Sequence, residues 1–126
     1  MEVTNPTIEE IREWAYSDKD WPHDEWDLFL SWTREIELFI ELATDNKCQK
    51  KSFFLHMLYY LVGITYSEPT KTDKLDRIRS YSEKGSGIDH GDIKAWRSNV
   101  AELLNGRVKY SYDNWRGGVF AGYNIT

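Results

Sequence analysis

The chain has 126 residues with a net charge of −5, is 40% hydrophobic and 29% charged, and carries six Trp, eight Tyr and five Phe. That length suits one domain with a real core, here taken as residues 1–126, and the supply of large apolar side chains excludes a disordered chain. One cysteine, Cys48, can close no internal disulfide and build no CxxC-type metal site, so nothing in the cysteine content calls for an oxidising compartment.

Thr7 and Glu10 have capping-box spacing, and Ile8, Ile11, Trp14 and Ala15 follow at helical intervals, which predicts a first helix over about 7–16. The stretch DKDWPHDEWD, residues 18–27, then packs five carboxylates, two tryptophans and a histidine into ten positions. Pro22 suits a helix start, and Asp24, Glu25 and Asp27 suit the positive end of the dipole of the helix that follows. Phe29, Trp32, Ile36, Phe39 and Ala43 step by three and four residues, so the spacing predicts one continuous helix with Trp32 in the core. Its solvated side would carry Asp27, Arg34, Glu37 and Glu41.

The run Phe53 to Ile64 is twelve residues, apolar on nearly all sides apart from His56, and reads as a central helix surrounded by others, with Ser52 as its cap. A buried strand is the rival reading, but no second strand pairs with it, and the run is shorter than the roughly twenty residues a membrane span needs. Thr72 to Lys84 should form a further helix with Leu75, Ile78 and Tyr81 inward, closed by Gly85-Ser86-Gly87. Asp89 should cap the next, whose apolar face is Ile93, Trp96, Val100, Leu103 and Leu104 and whose end is Asn105-Gly106. The last twenty residues are rich in glycine and aromatics and should wrap the bundle with one helical turn near Trp115. The expected fold is therefore an all-α bundle of five or six helices with that tail packed on it.

Candidate chemistry is sparse. There is no G-x-S-x-G element and no phosphate-binding glycine loop. Cys48 lies near Lys47, Lys50 and Lys51, which could favour its thiolate, although a lone cysteine at a helix boundary is more often a packing residue. His23 and Asp27 are four apart, with Asp24 beside them, and could share a metal, but capping explains the same residues. His56 reads as a core imidazole.

Charge is more informative. Residues 1–46 hold 13 acids and 3 bases, whereas residues 47–126 hold 8 acids and 13 bases. Either the halves neutralise each other across the fold, or the acidic half faces a basic partner. Nucleic acid and membrane are not expected to bind, and no cofactor is expected.

The leading expectation is a non-enzymatic, cytoplasmic protein-binding module of the kind a small bacterial immunity protein uses against a basic nuclease toxin. Its surface would comprise Asp18, Asp20, Trp21, Asp24, Trp26, Asp27, Glu37 and Glu41, with the indoles as anchors and the carboxylates for steering. Alternatively, Trp21 and Trp26 pack beneath the tail against Tyr110, Tyr112 and Trp115. A small enzyme or metal-binding protein using His23 or His56 is the rival function, and a homo-oligomer joined through opposite charges is a third.

Overall fold

A computed structural model describes residues 1–69 and 72–117; the end of the tail, 118–126, lies outside the described residues. Among the described residues there are seven helices and no strand: α1 (Ile8–Ala15), α2 (Trp26–Thr33), α3 (Ile36–Thr44), α4 (Lys51–Tyr66), α5 (Lys74–Glu83), α6 (Gly91–Leu104) and α7 (Tyr112–Gly117). The all-helical class is as the sequence suggests, with more and shorter helices because one expected rod is two.

α1 starts on a complete capping box: the Glu10 N–H donates to Thr7 Oγ1 (3.2 Å) and the Thr7 N–H donates to Glu10 Oε1 (2.9 Å). Such a reciprocal cap satisfies two backbone donors that the first turn leaves open. α4 begins at Lys51, one residue before the expected cap Ser52, and α2, α3, α5, α6 and α7 all pack against it. Phe53 through Gly63 are buried on every side of this helix, which is why its sequence shows no polar face. Burying each of its large apolar side chains stabilises the fold by roughly 1.5–3 kcal/mol.

Gly63, within that run, is where α7 comes close. A Cβ placed there would sit 2.6 Å from Arg116 Cγ, 3.0 Å from Trp115 Cβ and 3.1 Å from the Trp115 carbonyl carbon. Gly63→Val is therefore expected to cost about 1–3 kcal/mol by forcing α7 off α4, read as a lower urea midpoint together with a changed emission spectrum from Trp115. An unchanged midpoint and spectrum would show that α7 does not approach so closely.

Several local expectations need correction. The periodic stretch 29–43 is broken at Arg34, which takes a left-handed conformation (φ 52°) and separates α2 from α3. The break resets the helical phase. α2 buries Trp26, Phe29 and Leu30, so Trp26 fills the first position of the inward stripe, and Trp32 turns outward with 57% of its surface exposed. Trp32 is thus not a core residue, and Trp26 is not a surface anchor. Leu75 and Ile8 also face solvent rather than the core.

α5 follows Asp73 rather than Thr72, and α6 is capped by His90 rather than Asp89: His90 Nδ1 accepts from the Asp92 N–H at 3.2 Å. The end of α6 is as read. Gly106 (φ 70°) lets its own N–H reach the Leu103 carbonyl (3.2 Å) and the Arg107 N–H reach that of Glu102 (3.0 Å), the two bonds of a Schellman closure. α7 covers the turn expected near Trp115, whose ring lies 5.5 Å from that of Tyr59. Among the described residues no helix is long and apolar enough to cross a membrane.

Candidate functional site

α1 and α2 are joined by an irregular connection, residues 17–25, which holds most of the acidic stretch. The connection is fastened from Lys50, the residue before α4. Lys50 Nζ donates to the carbonyl of Trp14 (2.9 Å) and to that of Ser17, and lies 4.6 Å from the centre of the Trp14 ring. The Trp14 carbonyl also accepts from the Ser17 N–H (3.0 Å) and Ser17 Oγ (2.7 Å), and the ammonium adds to this cluster at the C-terminus of α1, where the helix dipole favours a cation. Burial pulls the Lys50 pKa down, while the negative charges of Asp18 and Asp20, among others, act against that. On the other side, the Trp14 indole N–H donates to the Asp20 carbonyl at 3.0 Å.

So held, the connection leaves Asp18, Asp20, Asp24 and Glu25 exposed, and among the described residues none of the four makes an ion pair. Lys19 is the one base in the same segment. Trp21 is 36% exposed, with its ring edge-on to Phe53 at 5.3 Å. His23 caps the turn before α2, its Nδ1 accepting from the Glu25 N–H at 3.0 Å. Helix capping therefore does not use Asp24, contrary to expectation, and only Asp27 of the acidic stretch lies in the first turn of α2.

From His23 a row of rings runs onto α2: His23 to Phe29 at 4.9 Å and Phe29 to Trp32 at 5.3 Å, ending in the exposed indole. Glu25, half-buried Leu28 and Trp32 share the outward face of α2 by their i, i+3, i+7 spacing. A large exposed aromatic on this face is of the residue type enriched in protein-binding hot spots.

The remaining expected site residues go elsewhere. Trp26 is fully buried and edge-on to Trp14 at 5.4 Å; its Nε1 finds no acceptor among the described residues. Tyr110 stacks on Tyr66 at 4.6 Å. Asp27 is half-buried; burial raises its pKa, which its hydrogen bond from the Leu28 N–H (2.8 Å) and the Arg116 charge partly offset. Glu37 and Glu41 lie on α3, where Glu41 pairs with Arg12 (2.5 and 3.2 Å) and Glu37 with Lys84 (3.4 Å). They line a cleft between α1, α3 and the α5–α6 link rather than the connection.

The connection gains one acid that local spacing did not single out, Glu13. Glu10, Glu13 and Asp20 border a cleft of about 390 Å³ over Trp14, between α1 and the connection. Glu13 could have been found from the sequence, because it follows Glu9 by four residues on the side of α1 opposite Ile11 and Ala15.

The charge division also resolves. Among the described residues one ion pair, Glu37 with Lys84, joins residues 1–46 to the rest of the chain; the other pairs lie within one half or the other. Direct ion pairing between the halves is thus slight, while Lys50 and Arg116 of the basic half act on Asp18, Asp20 and Asp27 without pairing with them.

His23 and Asp27 acquire no third ligand: no group of three His, Cys, Asp or Glu able to hold a metal is gathered among the described residues. His56 is buried between the rings of Phe53 (6.3 Å) and Tyr60 (5.5 Å). Cys48 is buried too, its thiol 3.4 Å from the Ala15 carbonyl; burial raises its pKa, so the neighbouring lysines do not make it a ready nucleophile. No family model matches the chain, and neither a curated protein nor a solved structure matches it.

Proposed function

We propose that the protein is a non-enzymatic binding module that docks a basic protein through the α1–α2 connection and the outward face of α2. In its most concrete form it is a bacterial immunity-type inhibitor, working in the cytoplasm, that sets carboxylates where a nuclease toxin would take nucleic acid. Asp18, Asp20, Asp24 and Glu25 steer the encounter, and Trp21 and Trp32 supply the area that holds it.

The observation that carries this reading is the set of four exposed carboxylates with no ion-pairing cation among the described residues. Surface charges held in internal pairs contribute little to steering, whereas a patch of one sign draws an oppositely charged partner and speeds association.

Capture on the tagged full chain, identification of the partner and titration of the purified pair test it. The triple reversal Asp18→Lys/Asp20→Lys/Asp24→Lys is expected to weaken binding by about 100-fold or more and to flatten its salt dependence. Glu37→Lys/Glu41→Lys, in the α3 cleft, should change it far less. A partner whose affinity ignores the triple reversal, or an acidic partner, would remove this function.

A further inference from the structure

The cleft over α3 is the place where the acidic half of the chain is electrically balanced. It encloses about 630 Å³ and is lined by three acids, Glu35, Glu37 and Glu41, and three bases, Arg12, Arg34 and Lys84. Residues 1–46 contain three bases in all, and two of them stand here. Isoleucines rise on both walls, Ile8 from α1 and Ile88 from the α5–α6 link, 40% and 37% exposed.

Four of the six charges are satisfied within the chain, as Arg12 with Glu41 and Lys84 with Glu37. Arg34 and Glu35, adjacent in sequence at the α2–α3 break, make no ion pair among the described residues.

We propose that this cleft is a two-fold interface between two copies of the chain, in which Arg34 of each copy pairs with Glu35 of the other and the Ile8 and Ile88 walls meet. An isologous interface requires a self-complementary patch, and neighbouring unpaired charges of opposite sign satisfy each other twice under a two-fold axis. A cleft with no net charge neither steers in a strongly basic or acidic partner nor repels a second copy. Elsewhere on the acidic half, approach of a copy brings like charges together. The interface is independent of the docking surface proposed above.

Sedimentation equilibrium of the full chain, from low micromolar to near-millimolar concentration, tests this. The fitted mass should rise from 14.9 kDa towards twice that value. Arg34→Glu and Glu35→Arg should each weaken dimerisation at least about tenfold, because each reversal acts at two symmetric places, and the double exchange Arg34→Glu/Glu35→Arg should restore it. Ile88→Asp should weaken it as well. Both charged positions are solvent-accessible, and unchanged helical circular dichroism will confirm folding of each variant. A mass fixed at 14.9 kDa throughout, single reversals without effect, or a double exchange that fails to rescue would overturn the interface. The triple reversal at Asp18, Asp20 and Asp24 should leave the dimer unchanged, which separates failure here from failure of the docking function.

Discussion

Trp26→Ala is expected to lower the unfolding free energy by about 3–5 kcal/mol, whereas Trp32→Ala should lower it by less than about 1 kcal/mol. The contrast follows from the turn at Arg34. With the helix interrupted there, the inward stripe of α2 is Trp26, Phe29 and Leu30, and Trp26 is entirely enclosed with its ring against Trp14. Removing an enclosed indole loses its transfer energy and leaves a void that a close-packed neighbourhood fills only in part. Trp32 touches Phe29 but leaves more than half its surface in water, so little is lost on truncation.

A third variant sharpens this. Because Trp26 Nε1 is buried with no acceptor among the described residues, Trp26→Phe keeps most of the packing and relieves an unpaired donor, and it should cost far less than the alanine change. Urea unfolding of the three variants decides the matter. Equal losses at Trp26 and Trp32, or a larger one at Trp32, would mean that the helix runs unbroken through Arg34 in its original phase.

Acid is expected to loosen the fold through His56, by about 2 kcal/mol between pH 8 and pH 5 and by about 3 kcal/mol once pH 4 is reached. The imidazole is buried in the middle of α4, and burial pulls its pKa down to about 4. In the unfolded chain it titrates near 6.5. Between those values the unfolded state binds a proton that the folded state refuses, so stability falls as pH drops from about 6.5 to about 4 and is level above that window.

Other groups act outside the window or in the opposite sense. Asp27, its pKa raised by burial, is less costly to the fold once protonated, so its contribution recovers as pH falls through its folded pKa. Glu10 is held low chiefly by the backbone N–H of Thr7, and Asp45 by the Tyr16 hydroxyl, so both lose stabilisation only as pH falls through their lowered values. Tyr16 itself is pushed up to about 12 by that hydrogen bond and plays no part in acid. His56→Gln should therefore flatten the profile between pH 8 and pH 5. A wild-type profile already as flat as that of the variant would show that His56 charges freely in the fold.

The elements that could be read from the sequence are those whose signals are local. Thr7 and Glu10 announce α1 because both halves of the cap lie within four residues. Asn105-Gly106 announces the end of α6 because a left-handed closure there favours glycine. α4 was legible from composition, since a helix covered on most sides must be apolar on most sides.

What was not legible has physical causes of its own. Arg34 carries no side-chain signal for a left-handed backbone, as glycine or asparagine would, so the break and the exchange of Trp26 for Trp32 were hidden together. His90 caps α6 through Nδ1, and His23 Nδ1 closes the turn before α2, in places where a nearby aspartate is the usual candidate. The pairing of Glu41 with Arg12 spans 29 residues and depends on how α1 and α3 pack, which no local spacing encodes. Of the residues expected to share one surface, Asp18, Asp20, Trp21 and Asp24 are exposed on the connection, while Trp26 is buried, Asp27 is half-buried, and Glu37 and Glu41 are ion-paired on α3.

Everything turns on which indoles meet the solvent. Fluorine NMR of the protein labelled with 5-fluorotryptophan gives one line for each of the six residues, assigned through single Trp→Phe variants. On adding a soluble paramagnetic reagent, the lines of Trp21 and Trp32 should broaden while those of Trp14, Trp26, Trp96 and Trp115 stay sharp, and the same two lines should shift when the captured partner is added. A Trp26 line that broadens while the Trp32 line stays sharp, or a bound partner that moves neither exposed line, would contradict the docking surface described here.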